Sequence, residues 1–476
     1  MNKAMVMDLY ELTMANAYFL DKEIDKTQKV VFDVFYRKNP DGGGFAIFAG
    51  LEQIVNYIKN LHFTSSDIEY LKGLNLFADE FLDYLRDFKF KGDIYAFPEG
   101  TIIYPNEPII TVVAPIIDAQ IIETEILLQI NHQSLIATKA NRIVRAAQGR
   151  IVSDFGARRA HNNDSAIYGS RAAYIGGVHA TATVVAGQKF NIPVSGTMAH
   201  SFIMYYKDEF EAFKHYALTY PDNALFLVDT YDVLKSGVPN TIRVQKEILE
   251  PIGKRIKGIR LDSGDLAYLS KQARKMLDDA GMTDCKIVAS NSLDEFTIKS
   301  LIEQGAKIDM FGVGERMITA KSEPVFGAVY KIVAVEENGF NPRIKVSENI
   351  EKITNPGLKK VYRVYKNGHS TADVLAIKEQ NLKGDKIRFI DQEKPYKNLY
   401  FENCTFKPLQ MPIFKNGKLI YDLPHISKIR EYVDRQLKNE IWEEEQRFEN
   451  PQKHYINMTP ELYEIKMDLL NESGRE

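Results

Sequence analysis

Between residues 150 and 320, polar and charged side chains recur directly after short apolar runs, and their types suit phosphate and a flat acid. In GIRLDSGDL (258–266) an apolar run ends at Asp262, Ser263 and Gly264 form a tight turn, and Asp265 opens a helix. Asp265 or Ser263 reads equally well as a helix N-cap. Two carboxylates three residues apart behind Arg260 also suit magnesium carrying a phosphorylated substrate, since that ion takes one or two carboxylates plus substrate oxygens. MFGVGERMITA places Gly312 and Gly314 at a strand end, as a plain turn or as bare backbone N–H groups open to a phosphate. SDFGARRAHNNDSAIYGSRAA offers Phe155, Arg158, Arg159 and Arg171. These read as ordinary surface arginines, or as a guanidinium fork for a carboxylate with a ring for a flat heterocycle. His200, in PVSGTMAHSFIMYY, is a structural imidazole unless it lies on a shared rim, where it can accept a proton or a phosphoryl group.

Such residues need elements that gather them. From about Gly149 to Ile332 the chain alternates helices with short apolar strands: RIVSD, IPVSG, ALFLVD, KGIRLD, CKIVAS and IDMFGVG. Repeated βα units with near-continuous apolar strands imply a parallel sheet buried on both faces. Polar groups follow almost every strand, at 154–159, 197–200, 229–232, 262–265, 290–292 and 312–315. A (β/α) barrel would bring all of them to one rim. In DLAYLSKQARKMLDDAG, Leu266, Leu269, Ala273, Met276 or Leu277, and Ala280 predict a helix stripe closed by Gly281.

The fold class is therefore α/β, an irregular (β/α) barrel with an N-terminal α+β domain and a C-terminal extension. We expect residues 1–148 as the α+β domain with its bridging helix and 149–333 as the barrel. Residues 334–476 form a C-terminal domain that partly packs back on the first. In that last zone, 424–450 and 460–470 read as charged helices, the first carrying the single tryptophan, Trp442.

Lys and Arg total 61 against 64 Asp and Glu, so no general field draws in nucleic acid or an anionic membrane. Cys285 and Cys404 stand far apart, without a zinc or disulfide pattern. The N-terminal stretch lacks the basic flank and unbroken apolar core of a signal peptide. No run approaches the roughly 20 apolar residues that span a bilayer. The expectation is a soluble cytoplasmic protein.

Taken together the text resembles nicotinate phosphoribosyltransferase, of the type II phosphoribosyltransferase group. DLYELTMANAYF, FDVFYRKNPDGGGFAIFAGLE, TKANRIVRAA, DFGARRA, SGTMAHSF, RLDSGDL, SNSLDE, GVGERMITA, VYKIV and SENIEKITNPGLKKVYR carry the likeness, in the family's order. The resemblance implies joining nicotinate to phosphoribosyl pyrophosphate, with ATP hydrolysis coupled through a phosphohistidine at His200. It implies that Tyr10 is lent to the pyridine pocket by a neighbouring subunit of a homodimer, with Phe155 as the opposite ring. Arg158 and Thr197 match positions near the nicotinate carboxylate. Arg260 and Asp262 match those holding phosphoribosyl pyrophosphate and Mg2+, supported by Ser263 and Asp265, while Gly312 and Gly314 match the 5'-phosphate loop. Many relatives carry threonine where this chain has Glu315, which is expected to point away from a phosphate. Nicotinamide or quinolinate as substrate, or a non-catalytic pyridine-nucleotide sensor, are the alternatives.

Overall fold

The computed structural model describes residues 3–349, 352–384, 386–392 and 394–473. Ile350 and Glu351, inside the stretch SENIEKITNPGLKKVYR, lie outside the described residues. The chain forms two compact units, one of residues 1–135 with 325–476 and one of residues 136–324.

In the first unit both ends of the chain share one sheet. Strand Lys29–Phe35 pairs antiparallel with Ile110–Pro115 on one side and Val329–Glu336 on the other, and Met411–Lys415 continues the sheet beside Asp93–Ala96. A second, six-stranded sheet is built wholly from residues 359–458. Helix Leu9–Leu20 begins after Asp8, whose N–H donates to Glu11 Oε1 at 3.2 Å. The helix read over 424–450 is shorter than expected. It runs Ile426–Asn439, and Trp442 lies beyond its end, stacked on His369 with centroids 4.4 Å apart. Helix Glu123–Ala146 runs from the first unit's residues into the second's.

The second unit contains six parallel strands: β1 (Ile151–Asp154), β2 (Ala180–Thr181), β3 (Leu225–Leu227), β4 (Gly258–Leu261), β5 (Lys286–Ser290) and β6 (Met310–Val313). Their order, β2-β1-β6-β5-β4-β3, is cyclic in sequence, as in a (β/α) barrel. The strand expected at IPVSG is reduced to a single parallel bridge, Thr181 to Val194. Among the described residues, no ladder joins that segment to β3, so the ring is not closed by hydrogen bonds. Two adjacent causes are visible in the sequence: Pro193 has no N–H to donate, and Gly196 disfavours extended pairing.

The strands are apolar because helices cover them: Phe226, Leu227, Ile259, Leu261, Ile287, Ala289 and Val313 are fully buried. Phe213, from helix Glu209–Thr219, stacks on Phe226 at 4.6 Å and 3°. Helix Leu266–Asp279 buries Ala267, Ser270, Ala273 and Leu277, while Leu266, Leu269, Met276 and Ala280 are only partly buried beside them. The stripe is rotated from the expected one because Ser270 is satisfied inside, donating to Ala267 O and accepting from Lys307 N–H, both at 3.1 Å. No helix among the described residues is long and apolar enough to cross a membrane.

Candidate active site

The site begins with a turn that follows β4. Asp262 N–H and Ser263 Oγ both donate to Asp229 Oδ2, at 3.0 and 2.6 Å, tying the end of β4 to the residues after β3. Gly264 turns the chain at φ +80°, a left-handed conformation that glycine adopts without strain. Asp265 then caps helix Leu266–Asp279 by accepting from Tyr268 N–H at 2.9 Å. The capping reading of Asp265 is thus realised, and Ser263 is engaged by Asp229. Asp262 is left partly exposed, its Oδ1 accepting from Ser290 Oγ at the end of β5.

His200 is the first residue of the short helix His200–Tyr205. Its Nδ1 lies 3.0 Å from Thr230 Oγ1 and its Nε2 lies 3.8 Å from Asp262 Oδ2. The side chain is 41% exposed, so the imidazole is displayed on the rim rather than buried in the core. With Nδ1 engaged by a hydroxyl, Nε2 is the nitrogen presented beside the carboxylate.

Arg260 points from β4 under the same rim. Its Nη1 donates to Thr197 Oγ1 at 2.5 Å and its Nη2 to Met198 O at 3.0 Å. Burial pulls its guanidinium below the usual arginine range; Asp262 and Asp229 oppose that shift and Arg158 adds to it. Its Nε is buried without a partner among the described residues, as is Asp229 Oδ1. Unsatisfied buried donors and acceptors are costly, and these two mark where a ligand's polar groups would be best received.

Phe155 follows β1 and leans on β6. Its N–H donates to Val313 O at 2.8 Å, and its ring lies 6.0 Å from the Arg260 guanidinium. A Cβ at Gly312 would stand 2.4 Å from Phe155 Cε2, and one at Gly314 would stand 3.1 Å from Phe155 O. A packing reason for Gly312 therefore exists without any phosphate. The turn carrying Phe155 is fixed by Asp154, whose carboxylate accepts from Gly156 N–H, Ser170 Oγ and Thr181 Oγ1 at 2.7–2.8 Å. Burial raises that carboxyl above its ordinary range.

Arg158 and Arg159 are exposed on the single turn Ala157–Arg159. Arg171, grouped with them from sequence, is instead fully buried with its guanidinium 5.7 Å from the Phe190 ring. It lies on the inner face of helix Asn163–Ile175, so the reading of Arg171 as a surface or rim arginine is corrected. Glu315 pairs with Lys321 at 2.7 Å, which also holds its carboxyl below the usual range. Tyr10 belongs to the first unit, on helix Leu9–Leu20, where burial and the neighbouring Glu123 carboxylate push its hydroxyl above the usual tyrosine range.

Within the second unit, then, His200, Asp262, Ser263, Arg260, Thr197 and Phe155 are joined through direct or one-residue contacts. Sequence reasoning placed Asp229, Thr230 and Ser290 on the rim but assigned them nothing. Their only signal was that each follows a strand. Among the described residues, no group of three or more His, Cys, Asp or Glu is placed to hold a metal. The pair Asp229 and Asp262 fits an ion that takes its remaining ligands from substrate and water.

Polar groups displayed at the carboxyl ends of a parallel sheet, within a helix-covered unit, define an enzyme of the α/β class. Residues 5–131, 151–369 and 358–466 match, respectively, the family models described as nicotinate phosphoribosyltransferase (NAPRTase) N-terminal domain, NAPRTase family and nicotinate phosphoribosyltransferase C-terminal domain. A nicotinate phosphoribosyltransferase of Bacillus subtilis (strain 168) is 46% identical over 471 residues, covering 98% of this chain and 94% of the relative. The human nicotinate phosphoribosyltransferase is 28% identical, with 97% and 95% covered. The crystal structure of human nicotinic acid phosphoribosyltransferase superposes with a TM-score of 0.87 at 26% identity, covering 97% of this chain and 99% of that one. The chain belongs to the nicotinate phosphoribosyltransferase family.

Proposed function

We propose that this chain transfers the phosphoribosyl group of phosphoribosyl pyrophosphate to the ring nitrogen of nicotinate, forming nicotinate mononucleotide and releasing pyrophosphate. ATP and water become ADP and phosphate in the same cycle, and the reaction is the first step of NAD salvage from nicotinate. Family membership over nearly the whole chain supports this reading. The single structural observation that carries it is His200 Nε2 3.8 Å from Asp262 on a rim underlain by Arg260.

His200 Nε2 attacks the terminal phosphorus of ATP; the N–P bond forms as the P–O bond to ADP breaks, and water later cleaves the phosphohistidine. Thr230 and Asp262 hold the ring for that transfer. Arg260, with Ser263, Asp265 and the Gly312–Gly314 loop, receives phosphoribosyl pyrophosphate. Asp262, with Asp229, would hold Mg2+, which when bound neutralises the pyrophosphate leaving group. Breaking the bond between the anomeric carbon and the pyrophosphate oxygen builds positive charge on the sugar as the bond to the pyridine nitrogen forms, so the chain must fix the flat nucleophile in line. Phe155 stacks on the pyridine, Arg158 and Thr197 meet its carboxylate, and Tyr10 comes from a second subunit of a homodimer. The three zones, 1–148, 149–333 and 334–476, serve as the layout of this cytoplasmic enzyme, with no nucleic acid or membrane involved.

Turnover on nicotinate, nicotinamide and quinolinate tests the substrate. Nicotinate must be the best of the three, because nicotinamide lacks the carboxylate and quinolinate carries two. Labelling with γ-phosphate-labelled ATP tests the histidine: the expected outcome is an acid-labile label on the wild type that is lost in His200→Ala. An undiminished label in that variant would refute the phosphohistidine.

A further inference from the structure

The contact between His200 Nδ1 and Thr230 Oγ1 joins two segments of the second unit that reach it from different elements. Its geometry therefore depends on what fixes those segments to one another. On the histidine side, helix His200–Tyr205 rests on helix Glu209–Thr219: Phe202 meets Tyr216 edge to face with centroids 5.7 Å apart, and Tyr206 stacks on His215 at 5.0 Å. On the other side, Thr230 stands between β3 and the helical turn Val233–Gly237. Asp232 caps that turn by accepting from Leu234 and Lys235 N–H at 3.0 and 2.8 Å. Gly237 lets the turn fold back on the residue after β3, since a Cβ there would stand 2.0 Å from Val228 O.

Glu209 bridges the two sides. It is the first residue of helix Glu209–Thr219 and only 3% exposed. Its Oε2 accepts from Ser236 Oγ at 2.5 Å and from Asn240 Nδ2 at 3.0 Å. Ser236 belongs to the turn that follows Thr230, and Asn240 to the next helix, Val238–Val244. The other oxygen, Oε1, is buried without a partner among the described residues. A buried acid with one bare oxygen is costly, so packing alone does not account for this residue. What it supplies is a single oxygen that holds two donors of the neighbouring segment. Contacts thus run in a closed circuit from the imidazole through helix Glu209–Thr219, Glu209, Ser236 and Thr230, and back to the imidazole.

We propose that Glu209 is a positioning residue for His200: through Ser236 and Asn240 it fixes the span carrying Thr230, whose Oγ1 receives the Nδ1 proton and leaves Nε2 as the nucleophile. Its consequence for phosphoryl transfer rests on the phosphohistidine reading above, whereas the tautomer does not, so the two are measured separately. The initial rate of acid-labile labelling of the full-length protein by γ-phosphate-labelled ATP is expected to fall about five- to tenfold in Glu209→Leu. KM for nicotinate and for phosphoribosyl pyrophosphate stays near wild type in that variant. Glu209→Gln keeps an oxygen for both donors and is expected within about twofold of wild type. Thr230→Val slows labelling as Glu209→Leu does, and the double variant loses no more than the slower single one. Additive losses, or a Glu209→Gln as slow as Glu209→Leu, would overturn the proposal, the second result assigning the residue to charge. Should Glu209→Leu not fold, Ser236→Ala is the test: about a threefold loss is expected, and wild-type labelling there sinks the idea. Nitrogen NMR spectra of histidine-labelled protein, recorded where the ring is neutral and assigned with His200→Ala, read the tautomer. The Nδ1–H form is expected in wild type and Glu209→Gln, and a mixture of both forms in Glu209→Leu. An unchanged tautomer in Glu209→Leu refutes the positioning role whatever the labelling shows, while a label that persists in His200→Ala refutes only the phosphohistidine.

Discussion

Replacing Gly312 with alanine separates two reasons for a glycine at that position. The new methyl carbon would lie 2.4 Å from Phe155 Cε2 and 2.5 Å from Cδ2, whereas ordinary contact begins at 3.4 Å. Strand β6 has little room to yield, since Gly312 is in register with Ser153 of β1 and Ser290 of β5 on its two sides. The ring therefore moves, by about 1 Å, and a misplacement of that size in a positioning group costs about 100-fold in rate, or about 2.7 kcal/mol. The expected result is a drop of that order in kcat/KM for nicotinate, with KM for phosphoribosyl pyrophosphate and ATP labelling of His200 near wild type. Phe155→Leu in the alanine background removes the clashing ring edge, so the double variant should show a coupling of about 1 kcal/mol or more. Steady-state kinetics with each substrate varied in turn makes the measurement. A loss confined to KM for phosphoribosyl pyrophosphate, with additive effects at the two positions, would refute the packing argument and return the glycine to the phosphate.

Arg260→Lys replaces a planar fork that reaches both Thr197 and Met198 O with a point charge. A fall of roughly 10- to 100-fold in kcat/KM for phosphoribosyl pyrophosphate, with little change in Tm, is expected. Lys139 and Arg142 both donate to Glu295 Oε1, at 2.9 and 2.8 Å, in the interior of the second unit. Glu295→Gln should destabilise that unit by about 3–5 kcal/mol in urea unfolding, because two buried cations lose their anion. Glu11 is raised by burial from 4.5 to about 7. Its folded pKa exceeds its unfolded one, so its contribution is fully present below about pH 4.5 and is lost as pH rises through about 7. The Tm advantage of Glu11→Gln over wild type, followed by calorimetry, should be absent at low pH, grow across that window and level off above it.

Five of the six strands of the second unit were legible because each is a short, nearly unbroken apolar run, and the DSGD turn announced its own cap. Less visible was anything that depends on pairing across tens of residues. Asp229 is 33 positions before the backbone N–H that it accepts, and nothing local distinguishes it from Asp232, which caps a helical turn. Arg171 misled because periodicity does not say which face of a helix turns inward. The two-residue strand β2 is too short to have a pattern. Sharing of one sheet by strands near residues 30, 110, 330 and 410 is likewise a long-range fact, with no sequence signal beyond their individual apolar character.

The unclosed side of the sheet has a mechanical corollary. Among the described residues no strand pairs with 196–199; Met198 is held by its buried side chain in the unit's core, the Arg260 fork reaches Thr197 Oγ1 and Met198 O, and the imidazole that follows is steadied by Thr230. An incoming anion that claims Nη1 or Nη2 competes with Thr197 Oγ1 and Met198 O for that fork, whereas one received at Nε leaves it in place. Occupancy of those two nitrogens and anchoring of the histidine segment above the rim are thereby set in opposition by one side chain.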